Sequence, residues 1–394
     1  MNTPTLKIKN VAQINEASIE FGDLTVFVGP QATGKSITLQ LLKLMVDARA
    51  VQTEMKRYGL DWDNHLPDFL DAYLGEGMRS IWDAQKSSIE WNGNLIDLPG
   101  LVNPKTRRTN KEKDESLFYI PAQRVLTLQD GWPRPFTAYK PGDPFAVREF
   151  SEKLRNLVEA EFNDEKLFPQ SRRLKEEFRD MLQRDMFGGF DLKINKHHSQ
   201  KRLVLGQSSA TDGLPYMVWS AGQREFTPLL LGLYWLLPPA KPRRKNIEWV
   251  VIEEIEMGLH PKAIATLMLM IFDLVTRGYR VCLSTHSSQV LDALWMLKLL
   301  REHKAASRNL LKAFDVEKTP STYKLAEGVL KKTSRVYCFD RAPGGIVRDI
   351  SALDPALEES GEAGWGGLSE FSVRVSETVA MAVANSNQPA QSLP

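Results

Sequence analysis

Eight consecutive residues near the N-terminus have the types and spacing that bind a chain of phosphates. The stretch GPQATGKS follows the pattern G-x-x-x-x-G-K-[ST], in which backbone N–H groups and the start of a helix bind phosphate oxygens. Lys35 would add a positive charge, and the Ser36 hydroxyl can ligate Mg²⁺. A turn with incidental glycines is the alternative. The pattern predicts these nucleotide-binding residues: Gly29, Pro30, Gln31, Ala32, Thr33, Gly34, Lys35 and Ser36.

Two carboxylates follow an apolar strand in the stretch NIEWVVIEE. We expect this strand to lie beside the strand LTVFV that leads to the phosphate loop, so that Glu253 reaches the Mg²⁺. Glu253 occupies a position where Asp is usual, and its extra methylene changes its reach. Glu254 is predicted to act as the catalytic base that orients and deprotonates the attacking water. Two acids that merely face solvent are the alternative interpretation.

A histidine follows another apolar strand in the stretch RVCLSTHSSQVL. Ligands of parallel α/β sheets bind at the carboxyl ends of the strands, which is where His286 would lie. We therefore predict that His286 contacts the γ-phosphate or the attacking water during catalysis. An ordinary surface or core histidine is the alternative.

The stretch WSAGQREF begins a leucine-rich helix far downstream of the phosphate loop. Ser220 is a typical N-cap, and a helix that starts on Ser-Ala-Gly-Gln leaves backbone N–H groups open to an anion. Since the phosphate loop already supplies one phosphate site, a second one is useful for a nucleotide held by another subunit. The nucleotide-binding residues predicted here are Ser220, Ala221, Gly222 and Gln223.

The elements that must position these residues can be read from periodicity. LKIKNV, ASIEF and LTVFV predict strands, ITLQLLKLMVDARAV a helix, and SSIEWNGNLIDL and DLKINKHHSQKRLVLG two hairpins. After Ser220, strands and helices alternate, which predicts a largely parallel sheet flanked by helices. Two amphipathic stretches within residues 146–190 predict a compact helical arm.

Composition excludes several classes of protein. The chain has 394 residues, a net charge of +2 and 42% hydrophobic residues, so its bulk charge gives no reason to expect nucleic-acid binding. It contains no apolar run long enough for a membrane span and no secretory signal, which predicts a cytoplasmic protein without a membrane partner. Cys282 and Cys338 lie in apolar stretches and are predicted to be buried and reduced.

The order of these motifs resembles that of ABC-type ATPases. SAGQ resembles the signature motif LSGGQ of that superfamily, with Ala221 in place of the first glycine. EEIEMGLHP is similar to the E-x-x-L-H-P pattern of the AAA-21/AAA-15 class, which is related to the SMC and double-strand-break repair ATPases. FYIPAQR resembles the segment that carries the magnesium-sensing glutamine of this class, which implies a role for Gln123 in cofactor and metal binding, supported by Arg124. RVYCFDRAPGGIVRDIS resembles its closing hairpin.

The resemblance covers about residues 5–350 and implies an α/β fold, an ABC-type P-loop ATPase head with a mixed or parallel sheet. The head would comprise residues 1–50 with the phosphate loop, 116–145 with Gln123, and 191–350 with the signature, the acidic strand and His286. An irregular hairpin insertion at 51–115 and the helical arm at 146–190 would interrupt it. Residues 351–394 would form a C-terminal extension with a disordered tail.

The resemblance also implies a function. The chain would bind ATP and Mg²⁺ and hydrolyse ATP as a head-to-tail dimer. ATPases of this class, including those of the Septu, PARIS and OLD kind, often serve anti-phage defence. This implies a separate effector such as a nuclease or toxin, and DNA or a phage protein as trigger. A DNA-repair ATPase and a scaffold that binds ATP with little hydrolysis remain the alternatives.

Overall fold

A computed structural model of the chain describes residues 3–103, 115–162, 165–171, 173–197, 200–207, 213–238, 243–341 and 344–353, with isolated residues between 368 and 380. Most of the predicted extension 351–394 therefore lies outside the described residues. Within them, no helix has both the length and the apolar composition needed to cross a bilayer.

The β-strands of the described residues are β1 (Thr5–Val11), β2 (Ile14–Glu20), β3 (Leu24–Val28), β4 (Ser88–Trp91), β5 (Asn94–Leu95), β6 (Leu117–Ile120), β7 (Leu128–Gln129), β8 (Trp132–Pro133), β9 (Lys166–Phe168), β10 (Asp191–His197), β11 (Gln200–Gly206), β12 (Leu214–Pro215), β13 (Trp249–Ile252), β14 (Arg280–Ser284), β15 (Ser334–Phe339) and β16 (Val347–Asp349). The α-helices are α1 (Lys35–Arg57), α2 (Leu66–Leu74), α3 (Leu98–Val102), α4 (Phe145–Asn156), α5 (Glu176–Leu182), α6 (Ala221–Leu236), α7 (Pro261–Thr276), α8 (Ser288–Glu302), α9 (Arg308–Ala313) and α10 (Pro320–Val329).

A six-stranded sheet with the order β16-β15-β3-β14-β13-β6 forms the centre of the molecule. Strands β6, β13, β14, β3 and β15 run parallel, and β16 closes the sheet as an antiparallel edge strand. The residues of β3, β6 and β13 are buried throughout, as expected for strands covered on both faces. This mixed sheet with flanking helices confirms the predicted α/β fold class.

The strand order corrects one expectation. The acidic strand β13 was expected beside the phosphate-loop strand β3, but β14 lies between them and pairs with both. Periodicity identifies a strand without identifying its neighbours, which are decided by tertiary packing. With this order, the histidine strand β14 ends between the phosphate loop and the two acids, which brings His286 close to both.

Each face of the central sheet has its own hydrophobic core. One core joins Val26 and Val28 to helices α6, α7 and α8, while the other joins Phe27 to α1 and α2. The alternation of these side chains along β3 reflects the two-residue period of a strand. The second core also contains an antiparallel sheet with the order β2-β1-β4-β5. The predicted hairpin with its Asn92-Gly93 turn is confirmed as β4 and β5, with φ angles of 51° and 80° in the turn.

The segment predicted to be a helical arm lies against the head. Helix α4, strand β9 and helix α5 carry the buried side chains Phe150, Phe168 and Phe178, which belong to the same core as α6 and α7. Strand β9 also pairs with β10 of the second predicted hairpin, which is confirmed as β10 and β11. The apolar faces of the amphipathic stretches therefore cover the head, so the segment is a packed layer of it.

Candidate functional site

The predicted catalytic segments meet at one edge of the central sheet. The phosphate loop follows β3, the acids Glu253 and Glu254 follow β13, His286 follows β14, and Gln123 follows β6. These four strands run parallel, so their carboxyl ends share that edge. Such an edge is where α/β sheets bind their ligands.

The phosphate loop has the backbone that its glycines allow. Gly29 and Gly34 have φ angles of +125° and +98°, and a Cβ on Gly29 would lie 2.1 Å from the carbonyl oxygen of Phe339. No side chain larger than hydrogen fits there, because β15 packs directly against the loop. Ala32 also has a left-handed φ of 58°.

The ammonium group of Lys35 lies inside this loop. Its Nζ donates hydrogen bonds to the carbonyl oxygens of Gly29 at 2.8 Å and Pro30 at 2.6 Å. Burial lowers the pKa of Lys35 to about 8, although Glu254 partly offsets this effect. The ammonium group is thus held in place, but too little negative charge lies near it to offset its burial. An anionic ligand would stabilise the charged form.

Arg341 is a second cation at the loop, and the sequence reasoning missed it. Its Nη2 donates a hydrogen bond of 2.7 Å to the carbonyl oxygen of Gln31. The charge of Arg341 also contributes to the lowered pKa of Lys35. The closing hairpin was recognised in the sequence, but only the packing of β15 against the loop reveals which of its side chains reaches the site.

Glu253 has the burial and the hydrogen bonding expected of a metal ligand. Its side chain is buried, and Oε2 accepts a hydrogen bond of 2.9 Å from the backbone N–H of Ala122. Oε1 is buried without a hydrogen-bond partner. The pKa of Glu253 is raised by burial, even though the nearby Ser36 and Tyr119 hydroxyls oppose the rise. The hydroxyl and carboxylate oxygens of Ser36 and Glu253 fit the ligand preference of Mg²⁺.

Glu254 and His286 face each other at the edge of the sheet. Oε1 of Glu254 lies 3.9 Å from Nε2 of His286, and both side chains are about one-third exposed. Glu254 has a φ angle of 42°, which is unusual for a residue with a side chain. Its N–H donates to Oγ of Ser284 at 3.1 Å. Burial and the charge of Lys35 lower the pKa of His286, which favours the neutral imidazole at pH 7.

Glu256 positions the loop that carries this histidine. Its carboxylate accepts a hydrogen bond of 2.8 Å from Oγ1 of Thr285 and one of 2.5 Å from the N–H of His286. It thereby ties the acidic loop after β13 to the end of β14. Glu256 belongs to the E-x-x-L-H-P stretch, but its partners lie about thirty residues downstream, and no local signal identifies them.

Arg124 connects the two acids to helix α6. Its fully buried guanidinium donates to the carbonyl oxygens of Glu253 at 2.8 Å, Glu254 at 2.9 Å and Glu225 at 3.2 Å. Gln123, by contrast, has an exposed side chain and adjoins Ala122, whose N–H binds Glu253. The role of Gln123 stays a prediction.

Ser220 is confirmed as the N-cap of α6, but the backbone N–H groups at this helix start are not all open. Oγ of Ser220 accepts from the N–H of Gln223 at 3.2 Å, and Oε1 of Gln223 accepts from the N–H of Ser220 at 3.0 Å. This capping box already uses two N–H groups that were expected to be open to an anion. Gly222 abuts Gly258 of the acidic loop, where a Cβ would lie 2.6 Å from the carbonyl oxygen. Ser220 and Ala221 remain exposed.

The α/β fold and the phosphate loop at its strand ends together define a P-loop protein. A family model described as "AAA domain, putative AbiEii toxin, Type IV TA system" matches residues 24–292. The match spans more than half of the chain, which therefore belongs to this family, AAA-21. No curated protein sequence matches the chain.

Solved structures that the chain matches include two SMC heads and an exporter, all with TM-scores below 0.5. The SMC head bound to the C-winged helix domain of ScpA is 11% identical, with a TM-score of 0.37 over 73% of this chain and 90% of that chain. The SMC head domain from Thermotoga maritima is 11% identical, with a TM-score of 0.34 over 89% and 98%. A bacterial Atm1-family ABC exporter with ATP bound is 12% identical, with a TM-score of 0.32 over 74% and 36%.

Proposed function

We propose that the chain binds ATP with Mg²⁺ and hydrolyses it as a slow molecular switch. The observation that carries this proposal is the convergence of Lys35, Glu253 and Glu254 at the carboxyl ends of β3 and β13. A buried cation and a buried, partly unpaired carboxylate each carry a desolvation cost. Phosphates for the first and a metal ion for the second would remove both costs.

The individual residues have distinct tasks in this proposal. Lys35 and the loop N–H groups bind the β- and γ-phosphates, while Ser36 and Glu253 hold Mg²⁺, which neutralises phosphate charge when bound. Glu254 accepts the proton of the attacking water, a contribution of about 10²–10⁴-fold for a positioned base. Neutral His286, beside Glu254, can donate a hydrogen bond to the γ-phosphate or the water.

Exchange of Glu254 for Gln tests hydrolysis. Gln keeps the size of the side chain but cannot accept the proton, so turnover should fall at least about 100-fold while ATP affinity is retained. Phosphate release and the binding of a fluorescent ATP analogue measure the two quantities. Glu327→Gln, an exposed residue of α10, is the matched control and should leave both unchanged. A wild-type protein that binds ATP without turnover would instead favour the scaffold alternative.

The composite site is the second part of the proposal. The start of α6 carries a capped, exposed Ser220 and packs on the acidic loop through Gly222 and Gly258. In a head-to-tail dimer, Ser220–Gln223 of one subunit would bind the γ-phosphate held by Lys35 of the other. Closure then requires ATP, and hydrolysis reopens the dimer.

The biological role we propose is that of a regulatory subunit in anti-phage defence. The support is the family description, which refers to a toxin of a type IV TA system. The proposed partners are a separate effector, such as a nuclease or toxin, and DNA or a phage protein as trigger. Protection of cells from phage by the intact gene cluster, lost with Lys35→Ala, would support this role. Equal plaque counts with and without the cluster would contradict it.

A further inference from the structure

A cavity distinct from the ATP site lies between the β7–β8 hairpin and strand β11. Its volume is about 480 Å³, within the range of about 300–1,000 Å³ that is usual for small-molecule pockets. None of the phosphate-loop or acidic-loop residues belongs to its lining. The lining residues are Gln129, Asp130, Trp132, Pro133, Arg134, Pro135, Lys201 and Arg202.

The cavity carries an excess of positive charge. Arg134, Lys201 and Arg202 contribute three cations and Asp130 one anion, so its lining has a net charge of 3 − 1 = +2. Within the described ranges, none of the three cations forms an ion pair with a carboxylate. Cations that share one cavity repel each other, and a bound anion would convert this repulsion into attraction.

Two guanidinium groups in the lining have unused donors. Nε of Arg134 and Nε of Arg202 are buried without a hydrogen-bond partner. Buried donors of charged groups are rarely left unpaired in native proteins. Two residues that line one cavity therefore each keep a buried guanidinium nitrogen without a partner, a cost that negative charge beside the guanidinium would offset.

The walls of the cavity are held in place. Arg134 lies between two prolines, its Nη2 donates to the carbonyl oxygen of Ala138 at 2.8 Å, and its guanidinium lies 4.0 Å from the centre of the Tyr139 ring. The β7–β8 turn is joined to β11 by a hydrogen bond of 2.8 Å from the N–H of Leu203 to the carbonyl oxygen of Gly131. A cavity with fixed walls and one fixed guanidinium loses less entropy on binding a ligand than a cavity formed by mobile side chains.

We propose that this cavity binds a phosphate group, carried either by a small phosphorylated molecule of nucleotide size or by one unit of a nucleic-acid strand. Guanidinium groups match the geometry and charge of phosphate oxygens better than any other side chain. A phosphate monoester has a charge close to −2 and a phosphodiester a charge of −1, so the first balances the +2 of the lining and the second halves it. The site is separate from the proposed ATP site and does not depend on hydrolysis.

The test uses the full-length chain with the Lys35→Ala exchange, which weakens phosphate binding at the proposed ATP site without adding a nucleotide that could enter the cavity. In one arm, a fluorescein-labelled single-stranded oligonucleotide is titrated by anisotropy, and in the other, pyrophosphate by calorimetry. Lys201→Gln/Arg202→Gln should weaken binding at least about tenfold, since each lost contact is charge-assisted. In the oligonucleotide arm, loss of the contact to the one bound phosphate should also reduce the magnitude of the salt slope by about 0.7.

Control variants distinguish a loss of binding at the cavity from the effect of a lower net charge and from misfolding. Lys312→Gln/Lys318→Gln removes the same charge from exposed positions and should leave binding unchanged. Arg134→Lys keeps the charge but loses the planar group, and should also weaken binding. Binding in the oligonucleotide arm alone assigns a strand, and binding in the pyrophosphate arm assigns a small phosphorylated ligand. No binding in either arm, or equal losses in the control, would overturn the proposal.

Discussion

Lys35 illustrates how a single side chain prepares the site for its ligand. Two carbonyl oxygens of the loop hold its Nζ, and burial brings its pKa to about 8. The protein therefore keeps this ammonium charged at neutral pH with little margin. Phosphate oxygens in the same place would stabilise the charged form far better than carbonyl oxygens do.

The pH dependence of ATP binding follows from this pKa. The pKa of Lys35 in the free protein lies below its ordinary value, so the charged form that binds phosphate is lost as the pH rises through about 8. We expect ATP affinity to fall by up to about tenfold per pH unit above pH 8 and to be nearly constant just below it. Titration with a fluorescent ATP analogue measures this. Lys35→Met should bind ATP weakly and with an affinity that does not fall above pH 8. If the affinity of this variant still falls there, Lys35 is not the group that titrates.

The residues of the site could be predicted from the sequence where one short continuous segment determines its own backbone conformation. The phosphate loop and the capping Ser220 are of this kind, because a short stretch of chain determines their backbone. Glu256 and Arg341 were missed because their partners, His286 and Gln31, lie in other segments and meet them only through the sheet. No local pattern distinguishes such residues from ordinary surface charges.

At the scale of elements, a buried ion cluster joins α1, α4 and the start of β6. Nζ of Lys43 lies 3.1 Å from Asp47, 2.5 Å from Glu115 and 3.5 Å from Glu149, and donates to the carbonyl oxygen of Leu117. Burial opposes the charge of Lys43, but the carboxylates outweigh it and raise the pKa of Lys43 above its ordinary value. The cluster fixes the phosphate-loop helix to the edge of the central sheet.

Removal of this cation should destabilise the fold. Lys43→Met leaves the three carboxylates with Lys153 as their one remaining cation among the described residues, and Lys153 contacts the two glutamates and not Asp47. The free energy of unfolding should therefore fall by about 3 kcal/mol, the lower end of the range for a broken buried ion pair. Urea denaturation measures the change. The deficit should shrink at acidic pH, since protonation removes the uncompensated negative charge. Lys312→Met, at an exposed position of α9, should change stability by less than about 0.5 kcal/mol. If Lys43→Met and Lys312→Met have the same free energy of unfolding, Lys43 does not stabilise the fold.

The contact between the acidic loop and the end of β14 gives a second prediction at this scale. Glu256→Gln weakens the hydrogen bonds to Thr285 and His286, so turnover should fall about tenfold or more while ATP affinity changes little. The pKa of His286 should also fall further, because Glu256 is one of the carboxylates that raise it. Steady-state kinetics and histidine NMR measure the two effects. Lower turnover with an unmoved histidine pKa would assign Glu256 a merely structural role.

Local periodicity predicted most of these elements but not their arrangement. The strands β1, β2 and β3 and both hairpins follow from alternation and turn residues. The place of β14 between β3 and β13 does not, since several strand orders bury the same apolar residues. The packing of α4 and α5 on the head was not predicted, for a related reason. The sequence of an amphipathic helix shows which face is apolar, but it does not show which other element that face packs against.

At the scale of the whole molecule, the unit of function we propose contains two chains. Mixing Lys35→Ala chains with Ser220→Arg chains tests this arrangement, because each mixed dimer has one intact and one doubly defective site. Equal mixing should restore about a quarter of wild-type turnover, since half of the dimers are mixed and half of their sites are intact. Phosphate release measures it, and light scattering confirms the mixed dimers. No recovery in confirmed mixed dimers would contradict the head-to-tail arrangement.

The buried guanidinium of Arg124 has a consequence for such a pair of subunits. It binds the backbone of both acids and, through Glu225, the first turn of α6. In the proposed dimer, the half-site that one subunit would offer to its partner is thereby fixed to the acids that would serve its own nucleotide. Two ATP molecules in a dimer would share a coupling free energy, so the second should bind with an affinity different from that of the first. Cooperativity between the sites would then originate in one fully buried side chain.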